Sequence, residues 1–436
     1  MTSRSLLIVL VLLLGACSTP DGTEGETGTG EAPPEVAEEP PTEEPGDAED
    51  DPLVEEPEEP EEPEEPTAAR PRMQTPVRAV WVHLFDDTLK SRDGIEELVE
   101  ELVEAEATMV IAQVARRHDA YYRSDVLPAT ADPALEEGLD VVEELVPLAH
   151  ANGIEVHAWV SMAPTWHRVY EDLPAPTGWL PAEHGREAPE DERWVTRTVD
   201  GDWSEYLDPA LPEVRDHLAA IAVELAMTTE VDGIHLDYVR YESARHGYHP
   251  DAVERYQQET DSRSVPEPED PEFVRWRQDQ TYDVVAHVDA ALDTLPRTVA
   301  LSAAVVTWGP GPSGTEDGSF AGTRPAVEAL QDWPRWARDG LVDVLFPMNY
   351  FRAHVDEQAT WYGQWLDLEA ELATATDALI VPGLAGWLNA PEATLMQVGA
   401  ATETTDGAAV YSYQQPTDDG SREIWRRLAE VAWKVP

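Results

Sequence analysis

Asp237 is the one carboxylate in the otherwise apolar run Gly233-Ile-His-Leu-Asp-Tyr-Val239. A charged carboxylate is costly to remove from water unless it is partnered. Its place therefore calls for an ion pair, with Arg240 or Arg116 as partner, or for a chemical role. Carboxyl groups that cleave acetals work in pairs: one protonates the leaving oxygen, and the other attacks the anomeric carbon or activates water. The pair stands roughly 5–5.5 Å apart when configuration is retained and roughly 6.5–9.5 Å apart when it is inverted. Other short apolar runs end in residues of the same kind: His83, Asp86 and Asp87; Gln113, Arg116, His118, Asp119, Tyr121 and Tyr122; His157, Trp159, Trp166 and His167. After Asp237 come Arg240, Tyr241 and Glu242, and further on Trp308, then Asn349 and Tyr350, then Trp387, then Tyr411, Tyr413 and Gln414. Sugars present flat C–H faces and many hydroxyls, so aromatic faces beside carboxylates and amides suit them. Of the 15 tryptophans, Trp276, Trp361 and Trp425 sit in helical patterns and are read as packing. Trp166, Trp308 and Trp387 fall in loops, where sugar contact and loop packing are equal readings.

The elements that must position these residues alternate. Apolar runs at 78–82, 109–114, 154–160, 233–239, 299–305, 342–348, 378–383 and 407–412 read as strands. Helical periodicity marks 94–107, 139–151, 212–228, 273–295, 333–338, 356–375, 391–402 and 421–435, and a long connection covers 161–211. Asn152-Gly153 is a helix stop, and Pro212 suits a first helical turn. Eight strands that alternate with helices predict a parallel (β/α)8 barrel, whose active site lies at the carboxyl ends of the strands. The open doubly wound sheet is the competing architecture. It usually carries a glycine-rich phosphate loop after its first strand, whereas Trp81-Val-His-Leu-Phe85 has no glycine.

Charge and composition exclude several classes. The formal net charge is −59. Residues 18–69 hold 21 acids and no base, which leaves 28 bases against 67 acids from Arg70 onward. So acidic a domain is a poor partner for nucleic acid or for an anionic lipid surface. No phosphate loop and no Gly-x-Ser-x-Gly elbow occur, so neither nucleotide binding nor serine-hydrolase chemistry is expected. His83, His118, His157 and His235 are zinc-ligand types. No His-x-His or His-Glu-x-x-His spacing joins them, and no metal or cofactor is expected.

The N-terminus reads as a targeting segment. Arg4, the apolar stretch from Leu6 to Leu14 and the small residues before Cys17 form a secretory signal. Leu14-Gly-Ala-Cys17 resembles a bacterial lipobox, which implies lipidation of Cys17 and a membrane anchor on the extracytoplasmic side. Cys17 is the single cysteine, so disulfides are excluded. The Pro- and Glu-rich segment that follows cannot offset its ordering entropy by burial and reads as an extended, disordered tether. The expected organisation is a signal peptide at 1–17, an acidic linker at 18–75 and a barrel at 76–436.

Five stretches, in order, are similar to the glycosyl hydrolase-like 10 lipoproteins. They are Gln113-Val-Ala-Arg-Arg-His-Asp-Ala-Tyr-Tyr-Arg-Ser124, Leu148-Ala-His-Ala-Asn-Gly-Ile-Glu-Val-His-Ala-Trp159, Tyr206-Leu-Asp-Pro-Ala-Leu-Pro-Glu-Val-Arg215, Asp232-Gly-Ile-His-Leu-Asp-Tyr-Val-Arg-Tyr241 and Asp343-Val-Leu-Phe-Pro-Met-Asn-Tyr350. They fall in that order over nearly the whole folded part. The resemblance implies a glycosidase-type barrel acting on a polysaccharide, and some relatives cleave peptidoglycan glycan strands. It implies Asp237 as a catalytic carboxylate at the end of the fourth strand. Many relatives carry an acid directly after it, where this chain has Tyr238. The second carboxyl is therefore open among Asp119, Glu242, Asp208 and Asp86, with Asp119 favoured because its motif matches. Gln113, Arg116, His157, Trp159, His235, Arg240, Tyr241, Trp308, Asn349, Tyr350 and Trp387 are the expected substrate contacts. Two rival readings are a non-catalytic glycan-binding barrel, favoured by Tyr238, and an envelope scaffold without an aromatic pocket.

Overall fold

The computed structural model describes residues 73–166 and 173–433. The signal, Cys17, nearly all of the acidic linker and His167 lie outside the described residues. In chain order the elements are β1 (Val77–Val82), α1 (Arg92–Glu104), β2 (Met109–Ala115), α2 (Val141–Ala151), β3 (Glu155–Ser161), α3 (Leu180–His184), β4 (Val195–Arg197) and β5 (Trp203–Leu207). There follow α4 (Pro212–Thr228), β6 (Gly233–Asp237), α5 (Pro250–Thr260), α6 (Pro271–Asp293), β7 (Ala300–Val306), α7 (Arg324–Val327), α8 (Trp333–Arg338) and β8 (Val344–Asn349). The chain closes with α9 (Asp356–Ala375), β9 (Leu379–Ile380), β10 (Gly383–Ala385), α10 (Pro391–Thr404), β11 (Gly407–Tyr411) and α11 (Ile424–Arg427).

The strands pair in parallel in the order β1-β2-β3-β6-β7-β8, then β9 and β10, then β11, which pairs back onto β1. This is the eight-stranded closed barrel that the alternation predicts. The seventh strand is split: β9 pairs with the lower half of β8, and β10 pairs with its upper end and with β11. Val381 and Pro382 separate the pieces, and a proline has no N–H to give to a ladder.

Two differences from the sequence reading concern the strand-end loops. The long connection after β3 holds a two-stranded antiparallel hairpin, β4–β5, register Val195 to Leu207 and Arg197 to Trp203. Helix α5 stands before α6 in the loop after β6. With α6 it buries Tyr248, Ala252, Tyr256, Phe273 and Trp276 in a small separate cluster with Ala210.

Side chains alternate across each strand. The outward set packs against the helix ring in the main core, among them Val80, Val110, Val156, Ile234, Leu301 and Leu345. The inward set fills the barrel with Trp81, Met109, Ile111, Trp159, Val344, Phe346 and Val381. Glycines make room for the largest rings. A Cβ on Gly233 would stand 2.4 Å from the His157 ring, and one on Gly383 would stand 2.6 Å from Trp81. At the open lower end Met73 packs against this interior cluster, and Gln74 bonds to Gly153 and Glu155.

Candidate active site

Asp237 is the last residue of β6 and points inward by the same alternation as Gly233 and His235. It is buried. Its Oδ2 accepts a 3.1 Å hydrogen bond from Trp159 Nε1 on β3, and its Oδ1 accepts one of 2.7 Å from the backbone N–H of Tyr238. The second bond depends on backbone shape. Tyr238 has φ 60°, a left-handed conformation uncommon for a tyrosine, so the chain turns sharply and directs that N–H at the carboxylate. No Lys, Arg or His nitrogen lies within ion-pair distance of Asp237 among the described residues. Burial pushes its carboxyl up from the usual value to about 6, against the opposing pull of Arg240 and the two hydrogen bonds. A carboxyl that exchanges its proton near neutrality suits general acid–base work.

An aromatic wall stands beside it. The Arg240 guanidinium lies 4.8 Å from the ring centre of Tyr238, 5.0 Å from Trp308 and 5.8 Å from Tyr206. Arg324 also approaches Trp308, at 5.9 Å. Tyr206, Tyr238 and Tyr350 are all within electrostatic reach of Asp237, and burial holds each phenol above its usual range, so each remains a neutral donor. Tyr350 faces Tyr411 at 5.5 Å, and His83 of the β1 end lies 6.0 Å from Tyr411. Burial pulls the His83 imidazole down to about 4, so it is neutral. Gln414 ties the first and last strands together through His83 O and Asp86 Oδ1, at 3.0 and 3.2 Å.

Several expected contacts face other partners. Gln113 stands in the top inward layer, where its Oε1 accepts from Leu84 N and its Nε2 donates to Ser161 Oγ, tying β1, β2 and β3 together. His157 and His235 lie in the barrel interior, both hydrogen-bonded to Ser302 Oγ, at 2.8 and 3.0 Å. Trp81 Nε1 donates to His235 Nε2. Burial holds His157 down to about 4 and His235 well below its usual value. Tyr241 is fully buried, with its hydroxyl donating to Asp208 at 3.3 Å. Asn349 points outward to the helix layer and donates to Glu369 of α9. Trp387 sits in the turn after β10, half-buried.

The loop after β2 is a network of ion pairs. Arg116 donates to Leu84 O, to Tyr121 Oη and to Asp132 Oδ2, which Lys90 also approaches at 3.1 Å. Asp119 is fully buried and accepts from Arg117 Nε at 3.0 Å and Thr130 Oγ1 at 2.7 Å. Arg117 in turn donates to the carbonyls of Leu173 and Pro174, so the pair staples this loop to the connection after β3. Glu242 differs from Asp119. It is half exposed, lies on the loop that follows Asp237, accepts 2.8 Å from Ser204 Oγ, and stands within electrostatic reach of Tyr206.

Tyr206 and Tyr238 complete the wall and were not singled out as contacts. Tyr206 belongs to a matching stretch and was legible there. Its position came from the hairpin, whose strands of three and five residues give little periodic signal.

The chain is similar to known proteins over most of its barrel. It is 23% identical to the glycosyl hydrolase YngK of Bacillus subtilis over 322 residues, 66% of this chain and 57% of that protein. It is 23% identical to the glycosyl hydrolase DigH of Escherichia coli K12 over 335 residues, 67% of this chain and 70% of that one. Among solved structures, the glycoside hydrolase domain of PgaB (BpsB) from Bordetella bronchiseptica superposes with a TM-score of 0.54 at 15% identity, over 82% of this chain and 99% of that one. The catalytic domain of the Paenibacillus polymyxa β-amylase gives 0.58 at 12%, over 82% and 100%. These likenesses to solved structures show the barrel fold. The sequence pattern of the glycosyl hydrolase-like 10 family matches residues 76–390, and the chain belongs to that family.

Proposed function

We propose that this protein hydrolyses glycosidic bonds of a cell-envelope polysaccharide, with the glycan strands of peptidoglycan as its polymer. The observation that carries the reading is Asp237: a buried carboxyl at the end of the fourth barrel strand, held by two N–H donors beside an aromatic wall, with burial pushing it up to about 6. Family membership and the YngK and DigH names support glycan cleavage as the reaction class.

In this reading Asp237 protonates the leaving oxygen, and Trp159 and the Tyr238 backbone hold its carboxyl in place for that transfer. Tyr206, Tyr350 and Trp308 orient the sugars, with Arg240 fixed among the rings. For the second carboxyl we favour Glu242 over Asp119. Glu242 is accessible on the same loop, whereas Asp119 would have to leave Arg117. The chain is secreted and anchored through a lipid on Cys17, and the acidic segment acts as a tether that lets the barrel reach the wall.

Tyr238, standing where many relatives carry an acid, favours a second reading: a barrel that binds glycan without cleaving it. One experiment separates the two. Purified peptidoglycan sacculi, with and without stem peptides, are incubated with wild type and Asp237→Asn, and soluble glycan and bound protein are measured. Release by wild type that the variant lacks supports hydrolysis. Retention on sacculi without release supports binding. If there is neither release nor retention, the polymer is a different glycan and peptidoglycan leaves the proposal.

A further inference from the structure

Helix α9 runs along the barrel after β8 and turns Glu369 into its buried face. None of this side chain reaches solvent. Its Oε2 accepts a 2.8 Å hydrogen bond from Asn349 Nδ2, at the last residue of β8. The two remaining oxygens of the pair, Glu369 Oε1 and Asn349 Oδ1, are both buried, and neither has a hydrogen-bond partner among the described residues. For an ionised carboxylate this arrangement is one hydrogen short, and buried acceptors left without a donor are costly. A proton on Oε1 supplies the missing donor. The acid and the amide then present complementary donor and acceptor edges to each other.

We propose that Glu369 is a neutral carboxylic acid whose proton closes a clasp with Asn349, and that this clasp positions the loop carrying Tyr350 at the rim of the site. The surroundings favour the neutral form. The titratable group facing Glu369 is Tyr362, on the same helix, whose phenol donates to Gln397 O of α10 at 2.7 Å. Among the described residues β8 and α10 bring no charged group within electrostatic reach. Burial raises the carboxyl to about 8, opposed only by the Asn349 bond. Beyond Asn349 the chain is pinned from the same side. Phe351 O accepts from Asn389 Nδ2 at 3.0 Å and from Gln397 Nε2 at 3.2 Å, and Asn389 Oδ1 accepts from Ala353 N at 2.8 Å. Tyr350, between these anchors, faces inward to Tyr411. Glu369 is thus a positioning residue. Its effect on turnover rests on the hydrolase reading, whereas its protonation does not.

The test is infrared spectroscopy of the full chain. In wild type at pH 7, where exposed carboxyls are ionised, a carboxylic acid C=O band is expected, fading as pH rises through about 8. The band is expected to vanish in Glu369→Gln, which keeps both edges of the clasp. The Tm of wild type is expected to fall relative to Glu369→Gln as pH rises from about 4.5 to about 8, because the folded state alone keeps the proton over that window. If glycan release is detected, wild-type kcat is expected to change as pH rises through about 8 and Glu369→Gln to keep the kcat seen at lower pH without that change, while Glu369→Leu lowers kcat more than it raises KM. Absence of the acid band in wild type overturns the proposal, even if the Gln variant does not fold. A Tm difference that does not change with pH also overturns it. If both spectroscopic results hold and no glycan is released, the clasp stands and only the hydrolase reading fails.

Discussion

Asp237 and Asp132 are both buried carboxyls beside barrel strands, yet they are held in opposite ways. Asp132, in the loop after β2, accepts from the Arg116 guanidinium, the Lys90 ammonium, the Tyr121 hydroxyl and the Ala134 N–H. Burial alone would raise its carboxyl, but these donors outweigh burial and hold it below the usual range. Asp237 has two neutral N–H donors and an arginine held away among aromatic rings, so burial prevails and its carboxyl rises to about 6. A buried carboxyl given cations becomes structure. One kept from them remains a proton carrier, at some expense to stability.

The largest expected effect is on turnover. Asp237→Asn should reduce glycan release by about 10²–10⁴-fold, the usual contribution of a positioned general acid, while circular dichroism stays that of the wild type. Activity at the level of the wild type would remove Asp237 from the chemistry and with it the contrast. The second effect is on folding. Removing Asp132 as Asp132→Ala leaves Arg116 and Lys90 without their shared carboxylate, and breaking such a buried pair costs about 3–5 kcal/mol. Urea unfolding measures it, and a loss under about 1 kcal/mol would mean that the network is not structural.

The third prediction reverses the sign at Asp237. Its folded carboxyl titrates near 6 and its unfolded one near 3.8, so wild type loses stability as pH rises through that window. Asp237→Asn has no such loss and should be more stable than wild type at pH 7, by up to about 3 kcal/mol. Equal stability of the two from pH 4 to pH 7 would show that the carboxyl is not raised. The fourth is inside the barrel: Gly233→Ala forces a Cβ against the His157 ring and should cost about 1–3 kcal/mol. The smallest effect sharpens the site itself. Trp159→Phe removes the N–H donor to Asp237 Oδ2, so the pH limb of activity that reports this carboxyl should move upward from about 6. A limb that stays in place would assign it to another group.

Much of the architecture was legible because burial imposes periodicity. Helices at 212–228, 333–338 and 356–375 begin and end where the apolar pattern places them, with Pro212 opening the first. Of the candidate site, Asp237, Trp159, Arg240, Trp308 and Tyr350 do share one rim. The alternation of strand side chains puts Asn349 on the outer face of β8 and His157 and His235 deep in the barrel. A list of residues near strand ends does not separate those cases.

By itself the sequence determined a parallel barrel, a carboxylate at the end of its fourth strand and a strongly acidic chain. Local pattern and net charge suffice for these, since each depends on neighbours in the chain or on a sum over it. Only the tertiary structure decided which buried carboxyls meet a cation. Arg116 and Asp132 are 16 residues apart, Asp237 and Trp159 78, and Asn349 and Glu369 20. A carboxyl's proton affinity depends on the donors and charges within a few ångströms, and those are brought there by the packing of neighbouring strands, loops and helices.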